Sequence, residues 1–255
     1  MRYKSYLISE GRAKQIGEDE TIKLLEKNCK KAMKASYKGS PIYRGLESSV
    51  DFAYIDPKKG SPRYSRNTAN YYTLINDNSP AWKKYPKRSE SIICSTDKNY
   101  ADGYGSTTYE VFPYDGAKLG VASERDYWFS FENIGGLGHL SGFNDELEKL
   151  FKQVDIPLSD DSFKKIQTAF NMFDLTFARD KESYRELQED YRVMYGYDDF
   201  WDFMKHIQEM LHPDNNSFEL QRIGESLPES SEIWTDSKSI MIRHDWSDEI
   251  IDELI

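Results

Sequence analysis

The spacing of apolar residues changes near Asn144, and this change constrains the fold more than any other feature of the sequence. Before it, short apolar runs separated by Gly, Pro, Ser and Asn are typical of β-strands and loops. From 144 to 212 apolar residues recur every three or four positions, which predicts helices, and strand-like runs return near Phe218. We therefore predict an α+β domain built from residues 1–143 and 213–255, with a helical insertion at 144–212.

Local patterns predict the individual elements on either side of this helical block. We expect an amphipathic helix at 18–36 and a β-hairpin over 107–122, where a turn at Asp115 and Gly116 separates two apolar runs. Further strands are expected at 42–45, 91–95, 232–235 and 239–243, and a short helix after 247. Within the block, helix starts are expected at Asn144, Ser159 or Asp160, Asp180 and Asp198.

Composition favours an intracellular globular protein. The chain has 255 residues, which is enough to bury a sizeable core, and its two cysteines, Cys29 and Cys94, are too few for a disulfide scaffold. Its first residues lack the apolar region of a signal peptide, and no run approaches about 18 apolar residues. We expect a cytoplasmic protein, located in the host cytoplasm if a phage encodes it, with no membrane association.

The formal net charge of −10 argues against non-specific nucleic-acid binding by the molecule as a whole. The charge is unevenly distributed, because residues 57–88 contain eight Lys or Arg against one Asp. This basic segment would suit an anionic ligand, and it is equally compatible with a solvated basic loop.

Three separated segments carry residue types that fit one chemistry. Arg44 and Gly45 end one predicted strand, Ser95 and Thr96 end a second, and a Pro/Ser-rich loop leads Glu232 into a third. Each of these residues alone is common at protein surfaces and strand ends. Their order, and the β context of all three segments, give the combination its weight.

In this order the segments resemble the Arg, Ser-Thr-Ser and Glu motifs of the arginine–serine–glutamate class of ADP-ribosyltransferases. The resemblance implies two small packed β-sheets with NAD+ in the cleft between them, and transfer of ADP-ribose to a macromolecular acceptor with release of nicotinamide. It implies that Arg44 grips an NAD+ phosphate, that Ser95 braces the nicotinamide ribose and the glutamate, and that Glu232 binds the ribose 2′-hydroxyl. The further NAD+-contacting residues that we expect are Gly45, Arg66 and Thr96.

The chemistry of the reaction is compatible with these assignments. Breaking the nicotinamide–ribose bond builds positive charge on the sugar, so a fixed carboxylate such as Glu232 would act mainly in the transition state. A diphosphate suits the forked, permanently charged guanidinium of Arg44. A glycine at position 45 would let the backbone come close to the phosphates.

Two departures from the motifs leave the acceptor open. The residue two before the glutamate, commonly Glu or Gln in this class, is Ser230, and the third residue of the serine element is Asp97. We expect a protein acceptor rather than nucleic acid because the helical block is acidic. Glu229 is the reserve candidate for the catalytic carboxylate.

Several alternatives remain open at this stage. Water could replace the acceptor in an NAD+ glycohydrolase, and the related RNA 2′-phosphotransferase fold is a weaker possibility. A non-catalytic binding or virion-associated protein could keep the fold without the reaction. The segments 65–72 and 87–89 also resemble stretches of phage-type proteins.

Metal and phosphate-loop chemistry receive little support. The four histidines show no ligand spacing and no cysteine cluster accompanies them, so we predict no metal site. The glycine-rich run at 134–138 lacks the Lys-Ser/Thr ending of a P-loop, and we interpret it as a hinge into the helical block.

Overall fold

The computed structural model describes residues 13–64, 68–131, 140–159, 161–179 and 203–255. These residues belong to two compact units. The first is drawn from Met1–Arg63, Lys84–Tyr127 and Phe218–Ile255, and the second from Tyr64–Lys83 and Trp128–Ser217. The second unit thus includes a segment that precedes the predicted insertion, and it begins before residue 144.

The first unit contains a mixed α+β arrangement centred on one antiparallel sheet. Nine described strands follow the order β1-β3-β9-β5-β2-β4-β8-β6-β7. Central strands such as β5, β8 and β9 are buried at consecutive residues, so both of their faces are covered. The strand bounds are β1 Ala13–Gln15, β2 Tyr43–Leu46, β3 Phe52–Ile55, β4 Ile92–Ser95, β5 Thr107–Pro113, β6 Lys118–Val121, β7 Glu219–Arg222, β8 Glu232–Thr235 and β9 Ser239–Arg243.

The described helices divide between the two units. None of the helices within the described ranges has both the length and the apolar character needed to cross a membrane. The first-unit helices are α1 Glu18–Asn28, α2 Lys30–Tyr37, α4 Lys98–Asp102 and α8 His244–Leu254. The second-unit helices are α3 Asn70–Asn78, α5 Leu140–Gln153, α6 Phe163–Arg179 and α7 Phe203–Met210.

The sheet consists of two half-sheets that meet between β2 and β4. These strands are paired at a single position, Tyr43 opposite Ser95, whereas β4 and β8 are paired at four. Because the ladder continues through Tyr43 and Ser95, the strands form one nine-stranded sheet rather than the two small sheets expected from the sequence. We call β1-β3-β9-β5-β2 the first half-sheet and β4-β8-β6-β7 the second.

The predicted hairpin over 107–122 is wrong in its pairing, although both of its strands form. β5 pairs with β2 and β9, while β6 pairs with β7 and β8. The connection through Gly116, which has a φ of 88°, therefore crosses from the first half-sheet to the second. The chain does turn at Gly116, but the burial of each strand against partners distant in sequence decides the pairing.

The predicted helix at 18–36 is divided into α1 and α2 at Cys29. Two hydrogen bonds from the β5–β6 turn hold this break: Asp115 N donates to Asn28 O at 2.6 Å, and Lys31 N donates to Asp115 Oδ1 at 2.8 Å. A carboxylate at the start of a helix satisfies N–H groups that lack helical partners. A tertiary contact thus ends one helix and begins the next.

The second unit has an aromatic core at its helix contacts. Phe151, Phe170, Phe173 and Phe203 are fully buried, with ring centroids 4.9–6.2 Å apart along their contacts. The predicted start at Asn144 is wrong, since α5 begins at Leu140. Asn144 instead accepts a hydrogen bond from the Tyr71 hydroxyl. The helix expected from Asp180 lies outside the described residues.

Candidate functional site

A row of polar residues crosses four neighbouring strands of the sheet. Glu110 on β5 is opposite Tyr43 on β2, Tyr43 is opposite Ser95 on β4, and Ser95 is opposite Glu232 on β8. Directly opposed residues of antiparallel strands share a face of the sheet. Three of the four are buried, with exposed fractions of 2% for Glu110, 4% for Ser95 and 6% for Glu232. Buried polar residues aligned in this way need a chemical or structural reason.

Ser95 and Glu232 are directly opposed in this row. One position away, Thr96 N donates to Ser231 O at 3.0 Å. Because hydrogen-bonded and non-hydrogen-bonded pairs alternate along an antiparallel ladder, Ser95 and Glu232 are a non-hydrogen-bonded pair, with Cα atoms about 4.5 Å apart. The resemblance to the ADP-ribosyltransferase motifs implies that Ser95 braces Glu232, and in the structure the two residues are neighbours.

The Glu232 carboxylate is held by two donors of the first unit. Its Oε1 accepts a hydrogen bond and ion pair from Arg88 Nη1, and its Oε2 accepts one from Tyr127 N at 3.2 Å. A carboxylate offers about four acceptor positions. Glu232 is therefore fixed in orientation while it keeps capacity to accept a hydrogen bond from a ligand hydroxyl.

The Ser95 hydroxyl is oriented by the backbone that follows it. Its Oγ accepts a hydrogen bond from Asp97 N at 2.9 Å, and no described residue accepts the hydroxyl proton. The Asp97 carboxylate caps α4 by accepting from Asn99 N and Tyr100 N. Asp97, which stands where the motif has its third residue, serine, is therefore the N-cap of α4.

Thr96 connects the end of β4 to the loop before β8. Its hydroxyl oxygen accepts a hydrogen bond from Ser231 N at 2.9 Å, while its backbone N–H donates to Ser231 O. These bonds fix the approach of the chain to Glu232. The predicted role of Thr96 in NAD+ binding is therefore accompanied by a clear structural role.

Arg44 does not share the face of Ser95 and Glu232. Successive strand residues point to opposite faces, and Tyr43 is the residue on the Ser95 face. The Arg44 guanidinium donates from Nη1 to Ile93 O at 2.7 Å, next to the point where backbone pairing of β2 with β4 stops. Arg44 therefore lies at the junction of the two half-sheets, bound to the main chain of the second.

Gly45 is explained by packing. A Cβ at this position would lie 1.9 Å from Ala101 O in α4, so only glycine allows the helix backbone to lie on β2. Helix α4 occupies the space that a Cβ at position 45 would need, and contact of NAD+ with Gly45 stays a prediction.

Arg88 is the residue of this site that the sequence did not single out. It lies in a single turn of 3₁₀-helix, Arg88–Glu90, and its side chain is only 13% exposed. Burial lowers the pKa of Arg88. The charge and hydrogen bond of Glu232 act in the opposite direction, and the net shift of the pKa is upward. The available signal was the basic segment at 57–88, in which eight cations were equally plausible.

Two tyrosines, Tyr100 and Tyr104, and a second carboxylate, Asp126, interact electrostatically with one another near Glu232. Tyr104 donates to the Tyr100 hydroxyl at 2.8 Å, and the Arg125 guanidinium lies 5.6 Å from the Tyr100 ring centroid. Burial raises the pKa of both tyrosines, and the charges of Asp126 and Glu232 raise them further. Tyr100 and Tyr104 therefore lie within electrostatic range of Glu232, and both hydroxyls stay protonated at neutral pH.

The remaining predicted residues contribute less. Arg66 and the glycine-rich run at 134–138 lie outside the described residues. Glu229 is exposed in the loop before β8, and Ser230 adopts a left-handed φ of 54° with its hydroxyl 3.4 Å from Asp97 Oδ2. Of the two candidate glutamates, Glu232 is the one in the buried row.

Within the described ranges, no group of three or more His, Cys, Asp or Glu side chains could hold a metal ion. Comparison of the chain with models of protein families, with curated proteins and with solved structures gives no match.

Proposed function

We propose that this protein cleaves the nicotinamide–ribose bond of NAD+ and transfers ADP-ribose to an acceptor with release of nicotinamide, in the manner of an ADP-ribosyltransferase. One observation carries the proposal: the three strands that bear the Arg, Ser and Glu motifs are adjacent in the sheet, with Ser95 directly opposite Glu232. Local sequence signals for these motifs are independent of strand pairing, so the pairing of Ser95 with Glu232 supports a shared site for these two residues, whereas Arg44 projects from the other face of the sheet.

Glu232 is proposed to supply the catalytic carboxylate. As the bond to nicotinamide breaks, positive charge develops on the ribose, and a carboxylate already fixed by Arg88 and Tyr127 N needs no reorganisation to stabilise it. Its remaining acceptor positions suit a ribose hydroxyl. The Ser95 hydroxyl, whose oxygen is held by Asp97 N, is proposed to brace the same sugar.

Arg44 is proposed to contact the diphosphate at the junction of the half-sheets. A guanidinium has five N–H donors, so its bond to Ile93 O does not by itself exclude a phosphate contact. Thr96 and Arg66 are further proposed NAD+ contacts.

We propose a protein acceptor, because a chain of net charge −10 is repelled by nucleic acid. NAD+ glycohydrolysis is the second candidate. The observation that favours it is Ser230, an exposed small residue at the position where this class of transferase commonly has a Glu or Gln that helps choose the acceptor.

The test is nicotinamide release from NAD+ labelled in the adenylate moiety, with and without a bacterial lysate. The Glu232→Gln variant is the catalytic control, and Glu229→Gln is matched to it as an exposed glutamate in the loop that precedes β8. We expect wild type and Glu229→Gln to release nicotinamide and Glu232→Gln to release very little.

The fate of the label separates the candidates. Label that becomes sensitive to protease identifies a protein acceptor, nuclease-sensitive label contradicts the proposed acceptor, and free ADP-ribose alone identifies a glycohydrolase. Absence of nicotinamide release under all conditions would refute the proposed function.

A further inference from the structure

Arg88 and Glu232 form a buried ion pair that an aromatic frame surrounds. The Arg88 guanidinium carbon lies 4.1 Å from the centroid of the Tyr127 ring, so one face of the cation is covered. The Tyr127 backbone N–H binds the second Glu232 oxygen. A single residue, Tyr127, thus contacts both the cation and the carboxylate.

Trp234 connects the segment that contains Arg88 to β8, the strand that carries Glu232. Trp234 is two residues after Glu232 on β8, and its Nε1 donates to Pro86 O at 2.9 Å. Its ring also packs edge-on against Tyr127, with centroids 5.3 Å apart. A Cβ at Gly120 on β6 would lie 2.0 Å from the Trp234 ring, so the indole lies directly on the neighbouring strand. The position of Arg88 is therefore set by β8 itself.

We propose that Arg88 is the positioning residue of Glu232, holding its carboxylate in one orientation beside Ser95; this inference rests on the proposed function of Glu232. A charge-assisted hydrogen bond between buried partners defines a geometry that an exposed pair does not. Small displacements of a catalytic group are costly to the rate. Arg88 acts through Glu232 and is not itself a ligand of NAD+.

The first experiment compares the kinetics of Arg88→Met, Arg88→Lys and Lys87→Met in nicotinamide release. Lys87 is the matched control, because it is the adjacent cation, 53% exposed and 3.8 Å from Glu90. We expect Arg88→Met to lower kcat by about 10²-fold with KM for NAD+ changed less than about threefold. Arg88→Lys keeps the charge and should recover at least about tenfold of that loss. Lys87→Met should behave as wild type.

The second experiment does not require activity. The unfolding equilibrium constants of wild type, Arg88→Lys, Glu232→Gln and the double variant form a double-mutant cycle, in which we expect the two single effects to be non-additive by at least about fivefold. Coupling in the cycle with no nicotinamide release from wild type would refute the proposed function and leave the hold of Arg88 on Glu232 supported.

Three outcomes would overturn the inference. The first is an unchanged kcat in a folded Arg88→Met protein. The second is a loss that appears in KM rather than kcat, which would make Arg88 a binding residue. The third is additivity in the cycle. If Arg88→Met does not fold, the kcat and KM of Arg88→Lys decide between the same outcomes.

Discussion

Ser95 and Glu232 face each other across β4 and β8 as a buried, close antiparallel pair. The pair is kept in register by its neighbours, because Thr96 and Ser231 are joined through both backbone and side chain. The Ser95 hydroxyl and the Glu232 carboxylate lie on one face of the sheet, and the Arg88 guanidinium fixes the carboxylate. Substitutions at these three residues test the proposed chemistry.

Replacing Glu232 by Gln should lower turnover with NAD+ by at least about 10²-fold, with little change in NAD+ affinity. The amide keeps the shape of the side chain but removes the charge that we propose stabilises the ribose cation. Nicotinamide release and calorimetric NAD+ binding measure the two effects. Full turnover in this variant, with Glu229→Gln inactive, would transfer the catalytic role to Glu229.

Replacing Arg44 by Ala should have two separate effects. Loss of the bond to Ile93 O should lower the free energy of unfolding by about 1.5–3 kcal/mol, the scale of a hydrogen bond from a charged donor. Loss of the proposed phosphate contact should weaken NAD+ binding by about 1.5–3 kcal/mol.

Denaturant unfolding and calorimetry measure these effects independently. Arg243→Ala is the control, since Arg243 is an ion-paired arginine of the same sheet, 2.6 Å from Asp51, with no proposed ligand. Unchanged NAD+ affinity in folded Arg44→Ala would leave Arg44 with a structural role alone.

Gly45→Ala should destabilise the first unit by at least about 1–3 kcal/mol, because its Cβ would overlap a backbone oxygen that cannot move without α4. Gly103→Ala is the matched control. Its φ of −68° is helical and its nearest contact would be 3.3 Å, so we expect a change within about 1 kcal/mol. Equal stability of the two variants would contradict the packing explanation of Gly45.

Both cysteines should be unreactive in the native protein. Burial raises the pKa of Cys29 and of Cys94 to about 12, with Asp115 adding to the effect at Cys29. At pH 8 the reactive thiolate is therefore scarce, and both thiols are sterically protected. Reaction with a thiol-specific disulfide reagent should follow unfolding in guanidinium chloride. Rapid native-state modification, assigned with Cys29→Ser and Cys94→Ser, would contradict this prediction.

His206 should make the second unit sensitive to mild acid. Burial lowers its pKa from about 6.5 to about 4, so the folded state disfavours the proton that the unfolded chain binds. The His206 contribution to stability is therefore complete above pH 6.5 and is lost as pH falls to about 4. Carboxylates titrate in the same range, so the measurement is the difference in unfolding free energy between wild type and His206→Gln across pH 4–7. A constant difference would contradict the lowered pKa.

The sequence by itself determined the local elements that have strong patterns. Strands at 232–235 and 239–243 have the predicted bounds, since a compact apolar run bounded by polar loops can be buried in few other ways. The strand after Ser91 and the change to helices are likewise local signals. The resemblance of three short segments to known motifs identified Ser95 and Glu232 as residues to examine.

Only the tertiary structure decided which strands are neighbours. Strand pairing depends on which buried faces fit together over long sequence separations, and the hairpin expected at 107–122 failed for that reason. The same long-range pairing put Ser95 opposite Glu232 and Arg44 on the other face. Arg88 could not be chosen among eight cations from charge alone, because its burial depends on Tyr127 and Trp234, residues that only folding brings to it.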